Sequence, residues 1–223
     1  MNVKELHTHL GNEWVKIIGI SDELKRVLTG FEGDNLFGYV YIDHTAGITL
    51  DVIKLFDLEN DNIVYKESPS DKETRIISRL EGIIKSKEIH ILSDEQIDEF
   101  ELNTPDYLSV YDRPDLAEFR AESAFHEFRG DGYPDDVQVL ILPTGNFKPE
   151  LIWGRVENYE DSVLTCNLLN QPHQKLGLKI NDTIQVVLQN FEDENYLVCV
   201  VESPQGNERN SGQSSKKPWY KFW

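Results

Sequence analysis

The sequence has few cysteines, a shortage of basic residues and no long apolar run, and each shortage excludes a class of protein. Its only cysteines, Cys166 and Cys199, lie in apolar, strand-like runs. We therefore expect buried thiols in a reducing compartment, and no disulfide framework or redox pair. No apolar run approaches the roughly 20 residues that cross a bilayer. The opening stretch, MNVKELHTHLGNEW, lacks the basic and apolar regions of a secretory signal. These patterns predict a cytoplasmic protein that does not enter a membrane.

Basic residues are heavily outnumbered, with 22 Lys and Arg against 40 Asp and Glu and a formal net charge of −18 at pH 7. A surface of this charge repels phosphate backbones, so nucleic-acid binding is not expected. It would attract a basic protein partner, although solubility alone also explains an acidic composition. The composition assigns no oligomeric state.

The sequence also lacks the common catalytic motifs. It has no Gly-x-Ser-x-Gly, no Gly-rich phosphate loop, and no local feature that marks either cysteine as a nucleophile. His7 and His9 form a His-x-His pair, and Asp43-His44 could add a second ligand group, but later strands supply no further Asp-x-His. We therefore predict no catalytic residue, no cofactor and no metal, and the chain is not expected to be an enzyme.

Periodicity predicts an α+β fold with two subdomains. In the first half, alternation and capping signals predict strands and helices. The strands are 13–20, 35–43, a hairpin over 48–67 that turns at Glu59–Asn62, and 88–92; the helices are 21–30, 68–87 and 93–102. The 68–87 helix has a capping box, Ser70 with Glu73, and an apolar stripe. That stripe comprises Ile76, Ile77, Leu80, Ile83 and Ile84.

The second half is predicted to be one helix followed by short strands. The helix covers 115–130, and the strands are 136–142, 150–157, 162–169, 183–189 and 195–202. This order predicts a curved antiparallel sheet or a partly open barrel. The predicted organisation is a subdomain at 1–103, a second at 104–202, and a linker with a basic-aromatic tail at 203–223.

Asp135 and Asp136 stand together before an apolar run and could be an acid/base pair. Such pairs need two carboxylates that face one bond in different environments. Adjacent residues of an extended chain point to opposite faces, and Asp after Pro is favoured in turns. We therefore interpret Asp135 and Asp136 as a turn that caps the following strand.

Three groups of residues are candidates for binding. Trp153 and Arg155 share one face of a strand and could read a ligand, or Arg155 could cover a packed Trp153 and pair with a carboxylate. Asn170 and His173 lie in a long loop that could line a cleft or pack on the barrel. Trp219, Tyr220 and Trp223 stand beside lysines in KKPWYKFW, which could dock into a partner, touch a membrane interface or fold back on the acidic body.

The stretches GYPDDVQVLILP, KPELIWGRVE and LLNQPHQKLGLKINDTIQVVL carry a family resemblance. Over roughly 115–200 the chain resembles bacterial domains of unknown function of the YegJ-like group. Those domains have a Pro-Glu-x-x-Trp-x-Arg strand, an Asn-x-Pro segment and a Gly-x-x-x-Gly-Asp turn in this order. Here Gln171 replaces the expected Glu of Asn-Glu-Pro, and Asn181 replaces the Gly before Asp182. The resemblance implies an α+β domain without an assigned activity; some related small acidic proteins are encoded beside toxins as immunity proteins.

These observations predict a non-enzymatic, acidic protein that binds a basic protein, for example an immunity protein that neutralises a toxin. The alternative is a small-ligand-binding module or a hydrolase that uses the face of Trp153 and Arg155.

Overall fold

The computed structural model describes residues 11–60, 62–70, 74–191 and 193–202. Helices and strands are mixed and form two separate sheets, which confirms the α+β fold with two subdomains. His7 and His9, and the tail residues Trp219, Tyr220 and Trp223, lie outside the described residues.

The first sheet has six strands, and every pairing in it is antiparallel. The strands are β1 Glu13–Ile18, β2 Asn35–Asp43, β3 Gly47–Glu59, β4 Asn62–Tyr65, β5 Ile76–Arg79 and β6 Glu88–Ile91. Their order is β4-β3-β2-β1-β6, and β5 pairs with the first half of β3. Three short helices accompany the sheet: α1 Asp22–Val27, α2 Leu80–Ile84 and α3 Asp94–Glu99.

Strand alternation gives this sheet two different faces. One face is aliphatic and packs against α1 and α2, with Val15, Leu36 and Leu50 beside Leu24 and Ile83. The other face is aromatic and is covered by the segment around α3. Its main residues are Trp14, Phe37, Phe56, Leu92 and Leu102. At the start of α1 the Ser21 side chain accepts from the Leu24 N–H, and at the start of α3 Ser93 forms a capping box with Gln96.

The prediction of a long helix at 68–87 is wrong. Among the described residues of this range, Ile76–Arg79 is strand β5 and Leu80–Ile84 alone is helical, while Glu73 of the predicted capping box lies outside the described residues. The Ser70 hydroxyl donates to the Val52 carbonyl, at the edge of the sheet, instead of capping a helix. Strand β3 offers unpaired backbone groups at this edge, and adjacent β-branched isoleucines suit a strand better than a helix.

The second sheet closes into a five-stranded barrel. Its strands are β8 Tyr133–Pro143, β9 Glu150–Glu160, β10 Val163–Leu168, β11 Thr183–Phe191 and β12 Glu194–Val201, with a short β7 at Arg129–Gly130 beside β8. Successive strands are antiparallel, and β12 returns parallel to β8, with Val198 opposite Leu140. An up-and-down path of odd strand number must close with a parallel pair. The barrel is therefore closed, without the free edge that a partly open one would have.

The predicted helix at 115–130 is broken into pieces. A 3-10 helix at Pro114–Leu116, helix α4 at Ala117–Ala121 and a 3-10 helix at Ser123–Phe128 follow one another, after a separate 3-10 helix at Asp106–Tyr111. Glu122 is extended and interrupts the run. Leu116, Phe119 and Phe125 of this region are nevertheless all buried in the barrel core. Within the described ranges, no helix is long and apolar enough to cross a membrane.

Candidate functional site

The two halves meet where the turn between β2 and β3 touches the barrel. Asp43 Oδ1 fixes this turn by accepting from the Thr45 N–H at 2.9 Å and the Ala46 N–H at 3.0 Å. The Ile48 N–H, at the start of β3, donates to the Gly132 carbonyl at 2.8 Å. A backbone hydrogen bond therefore joins the first sheet to the turn before β8.

Gly47 makes this approach possible. Its φ is 78°, and a Cβ atom added there would lie 2.1 Å from the Gly132 carbonyl oxygen. Both the left-handed backbone and the close contact require glycine.

His44 lies at the centre of a charged cluster in this junction. Its Nδ1 is 2.8 Å from Asp135 Oδ2, and its Nε2 is 3.2 Å from Glu157 Oε2. Both partners are carboxylates, so each ring nitrogen of His44 lies within hydrogen-bonding distance of an acceptor. Neither ring nitrogen is free to accept a proton from a substrate.

Asp135 is held by Arg120 as well as by His44. The guanidinium of Arg120, on α4, donates to the two carboxylate oxygens at 2.9 and 2.7 Å. Burial by itself would raise the pKa of Asp135, but the hydrogen bonds from Arg120 and His44 outweigh it and lower the pKa to about 2. This carboxyl group is therefore a permanent anion at neutral pH and does not serve as a general acid.

Asp136 has a separate partner. It stands opposite Arg155 in the β8–β9 ladder, and Arg155 donates to its two oxygens at 2.7 and 2.9 Å. Arg155 also donates to the Thr45 carbonyl at 3.2 Å, which adds a second contact between the halves. Hydrogen bonding to Asp136 raises the pKa of Arg155.

The interpretation of Asp135 and Asp136 as a turn is wrong, because both lie inside β8 and are buried. The argument that the two carboxylates point apart agrees with the structure, since one meets Arg120 and the other Arg155.

Arg113 completes the cluster on its outer side. It binds Asp115 and donates to the Glu157 carbonyl at 3.1 Å, with its guanidinium 3.7 Å from the Glu157 carboxylate. Three arginines and His44 thus face four carboxylates. The arrangement compensates its own charge, and we interpret it as a structural link between the halves.

A cleft of about 300 Å³ lies on the barrel next to this junction. It is lined by Gly130, Tyr133, Asp136, Trp153, Leu169 and Asn170. Asn170 Oδ1 accepts from the Trp153 N–H at 2.7 Å, so the structure brings two of the candidate binding residues together. Arg155 lies on the same strand face, but Asp136 occupies its guanidinium.

His173 lies away from this cleft. Its side chain is exposed and its backbone N–H donates to the Glu150 carboxylate. Leu176 of the same loop is buried in the barrel core, which shows that the loop packs down at this point.

A larger cavity of about 620 Å³ lies at the junction beside Arg113 and Arg120. Both arginines already bind carboxylates, so neither is an unpaired anion receptor.

A second buried carboxylate, Asp51, lies in the first sheet. It is fully buried, and the Tyr107 hydroxyl donates to its Oδ2, while the Arg75 guanidinium stacks 4.2 Å from the centre of the Tyr107 ring. Burial raises the pKa of Asp51. These groups pack together in the sheet and line none of the cavities described above.

Both cysteines are buried and free, as predicted. Burial raises the pKa of the Cys199 thiol to about 11, and it raises the pKa of the Cys166 thiol still further. A thiol with a raised pKa is a poor nucleophile at neutral pH. Among the described residues, no group of three or more His, Cys, Asp or Glu could hold a metal ion.

The chain matches no protein-family model, no curated protein and no solved structure. The resemblance to the YegJ-like group therefore stays a prediction.

Sequence reasoning missed Arg113, Arg120 and Glu157 and left His44 without a role. One signal was present in the sequence. Asp135 has the same parity as Val137 and Val139, so alternation alone places its carboxylate on the buried face of β8, where it needs a cation.

Proposed function

We propose that this chain is a non-enzymatic cytoplasmic protein that binds a basic protein partner, such as a toxin that it neutralises. The observation that carries the proposal is a strongly acidic segment at 88–112, in which His90 Nε2 lies 3.2 Å from Glu88 Oε2. It contains eight carboxylates and no Lys or Arg. The eight are Glu88, Asp94, Glu95, Asp98, Glu99, Glu101, Asp106 and Asp112, and all belong to exposed residues.

The segment is a strip of consecutive elements beside the first sheet: edge strand β6, helix α3 and the 3-10 helix at Asp106–Tyr111. Two lysines reach it from the sheet. Lys16 stacks on the Phe100 ring, and Lys54 donates to the carbonyls of Phe100 and Glu101. These contacts leave the carboxylates of the strip without a salt bridge to either lysine.

The negative charge of the strip contributes to the raised pKa values of two neighbouring groups, Glu13 and Tyr65. Burial raises the pKa of Glu13 and repulsion from Asp94 adds to the shift. Burial likewise raises the pKa of Tyr65, with added repulsion from Glu101 and Glu99. A basic partner that covered the strip would relieve this repulsion, which favours association and speeds the encounter at low salt.

The ionisable groups of the junction support a binding role over catalysis. His44, Asp135 and Asp136 are each engaged with groups of opposite charge. None of these three side chains is free of a charged partner and directed into a cavity, where it could exchange a proton with a substrate.

The alternative function, binding of a small ligand, is favoured by the cleft beside Trp153. A cavity of about 300 Å³ is at the small end of ligand sites. The engagement of Arg155 by Asp136 gives a hydrolase no free group there.

Neutralising the exposed acids of α3 tests the main proposal. The variant carries Asp94→Asn and Asp98→Asn together with Glu95→Gln and Glu99→Gln. A matched control makes four equivalent replacements at exposed barrel turns, at Glu160, Asp161, Asp193 and Glu194. Tagged forms of the chain capture partners from the native host at low and high salt, and captured proteins are identified and then purified for titration.

We expect a basic protein to bind the wild type and the control with equal affinity, to bind the α3 variant at least tenfold more weakly, and to weaken in high salt. Equal binding to all three proteins, or binding that does not respond to salt, contradicts the proposal. Loss of the basic protein's binding after Trp153→Ala, with the α3 variant unaffected, also contradicts the proposal.

A further inference from the structure

An apolar stripe crosses the outside of the barrel. Strand alternation points Ile141, Ile152 and Cys199 into the core and turns their neighbours outward. The outward residues, which we call the barrel stripe, are Leu140, Leu142, Leu151, Trp153 and Val200. The side chains of Leu151, Trp153 and Val200 are 53%, 38% and 43% exposed. The ladders place Leu151 beside Leu140 and Val200 beside Leu142, so the stripe is continuous over β9, β8 and β12.

The stripe ends at the cleft described above. The Trp153 ring lies over Gly130, since a Cβ atom added at Gly130 would be 3.6 Å from Trp153 Cζ3. Tyr133, which is 44% exposed, lines the same cleft. Two aromatic rings and Leu169 in the cleft, next to the exposed Leu151, suit an aromatic side chain.

We propose that residues 216–223, KKPWYKFW, bind to the barrel stripe and its cleft within the same chain. This segment combines four aromatic residues with three lysines. Aromatic residues are the usual anchors of apolar pockets, and the lysines complement a chain whose net charge is −18. The segment is itself outside the described residues, so the inference rests on the stripe, the cleft and the sequence.

The length of chain between the barrel and the segment fits this binding. Strand β12 ends at Val201, whose carbonyl accepts from the Thr144 N–H at 2.9 Å, beside the Val200 end of the stripe. The cleft lies about 13 Å away, because Gln138, opposite Trp153, is about four residues along β8 from Leu142. A Gly/Ser-rich coil of the length of 203–215 has a root-mean-square span of about 20 Å.

The span of the linker is similar to the distance between the end of β12 and the cleft. The effective concentration of residues 216–223 at the cleft is then in the millimolar range. Binding within one chain is then favoured over binding to a second copy at ordinary protein concentrations. The barrel stripe and the acidic segment at 88–112 belong to different sheets, so this inference is independent of the basic partner proposed above.

Nuclear magnetic resonance of the full chain tests the inference. The variant is Trp219→Ser with Trp223→Ser, and the matched control is Trp219→Phe with Trp223→Phe, which keeps two aromatic rings. The readouts are the Trp153 indole N–H and the backbone amides of Leu151 and Val200. We expect these resonances to shift in the serine variant, to stay near wild type in the phenylalanine control, and to be unaffected by dilution.

A second variant, Leu151→Asn, changes the stripe at an exposed position that can accept a polar residue without loss of the fold. It should shift the resonances of residues 216–223 toward those of the free octapeptide. The inference is overturned if the serine variant leaves the stripe unchanged, or if it changes only resonances of 88–112. It is also overturned if the stripe shifts disappear on dilution of the wild type, since the occupant is then a second copy.

Discussion

Replacement of Asp135 by asparagine should destabilise the protein strongly. The side chain is 2% exposed and accepts hydrogen bonds from Arg120 and His44. Asparagine keeps the shape but removes the charge, which leaves Arg120 without its carboxylate partner and His44 with Glu157 alone. Removal of one partner from a buried pair costs about 3–5 kcal/mol. The lowered pKa gives an independent magnitude, because a fall from 3.8 to about 2 corresponds to about 2 kcal/mol. We expect Asp135→Asn to lower the free energy of unfolding by about 2–4 kcal/mol at pH 7.

The pH dependence of this difference has a definite sign. The pKa of Asp135 is lower in the folded protein than in the unfolded chain, so its stabilising contribution is complete above pH 4–5, where both forms are ionised. The contribution is lost as the pH falls from the usual value of 3.8 toward about 2. The gap in stability between wild type and Asp135→Asn should therefore be constant from pH 7 to pH 5 and should narrow below pH 4.

Urea denaturation followed by circular dichroism measures both effects. The matched control is Asp115→Asn, which removes a carboxylate from Arg113 at a more exposed site, with a side chain 47% exposed. Exposed ion pairs contribute about 0–1 kcal/mol, so Asp115→Asn should change the free energy of unfolding very little. If the two variants lose similar stability, or if the difference in stability between wild type and Asp135→Asn persists unchanged below pH 3, the charged cluster does not link the halves.

Three further predictions follow from other parts of the fold. Gly47→Ala should lower the free energy of unfolding by at least about 1–2 kcal/mol, because it adds left-handed strain and a clash with the facing carbonyl; chemical denaturation measures the loss. Tyr107→Phe removes the hydroxyl that donates to buried Asp51 and should cost about 1–3 kcal/mol by the same assay. Cys166 and Cys199 should react with a thiol reagent only after unfolding, and rapid reaction of the native protein would contradict their burial.

Strands with local alternation were predictable from the sequence. The bounds predicted for β2, 35–43, are those observed, and all five barrel strands were placed within a few residues. Alternation predicts these strands because one face of the barrel wall is buried. The inward residues of each strand are therefore apolar and the outward ones more polar. The parallel closure of β12 on β8 was not predictable in this way, because it depends on strand number and path.

The predictions of long helices at 68–87 and 115–130 are wrong for the same reason. At 76–84 and at 115–128 the apolar spacing fits a helix, but neighbouring groups decide the outcome. The edge of β3 draws Ile76–Arg79 into the sheet. After Ala121, an extended Glu122 accepts the Ala124 N–H with its side chain and starts a new 3-10 turn. Apolar spacing identified Leu80 and Ile83 as buried but also included Ile77, which is 38% exposed, and it did not determine the backbone that carries these residues.

The charged junction was the hardest part to foresee, because its partners are far apart in sequence. His44 and Asp135 are separated by 91 positions, and His44 and Glu157 by 113. Asp135 and Asp136, which could have been an acid/base pair, instead form salt bridges with Arg120 and Arg155. Each buried anion of the junction is neutralised inside the protein, so the charge available to a partner lies elsewhere. Residues 88–112 carry eight exposed carboxylates and no Lys or Arg, and this is where the proposed basic partner would bind.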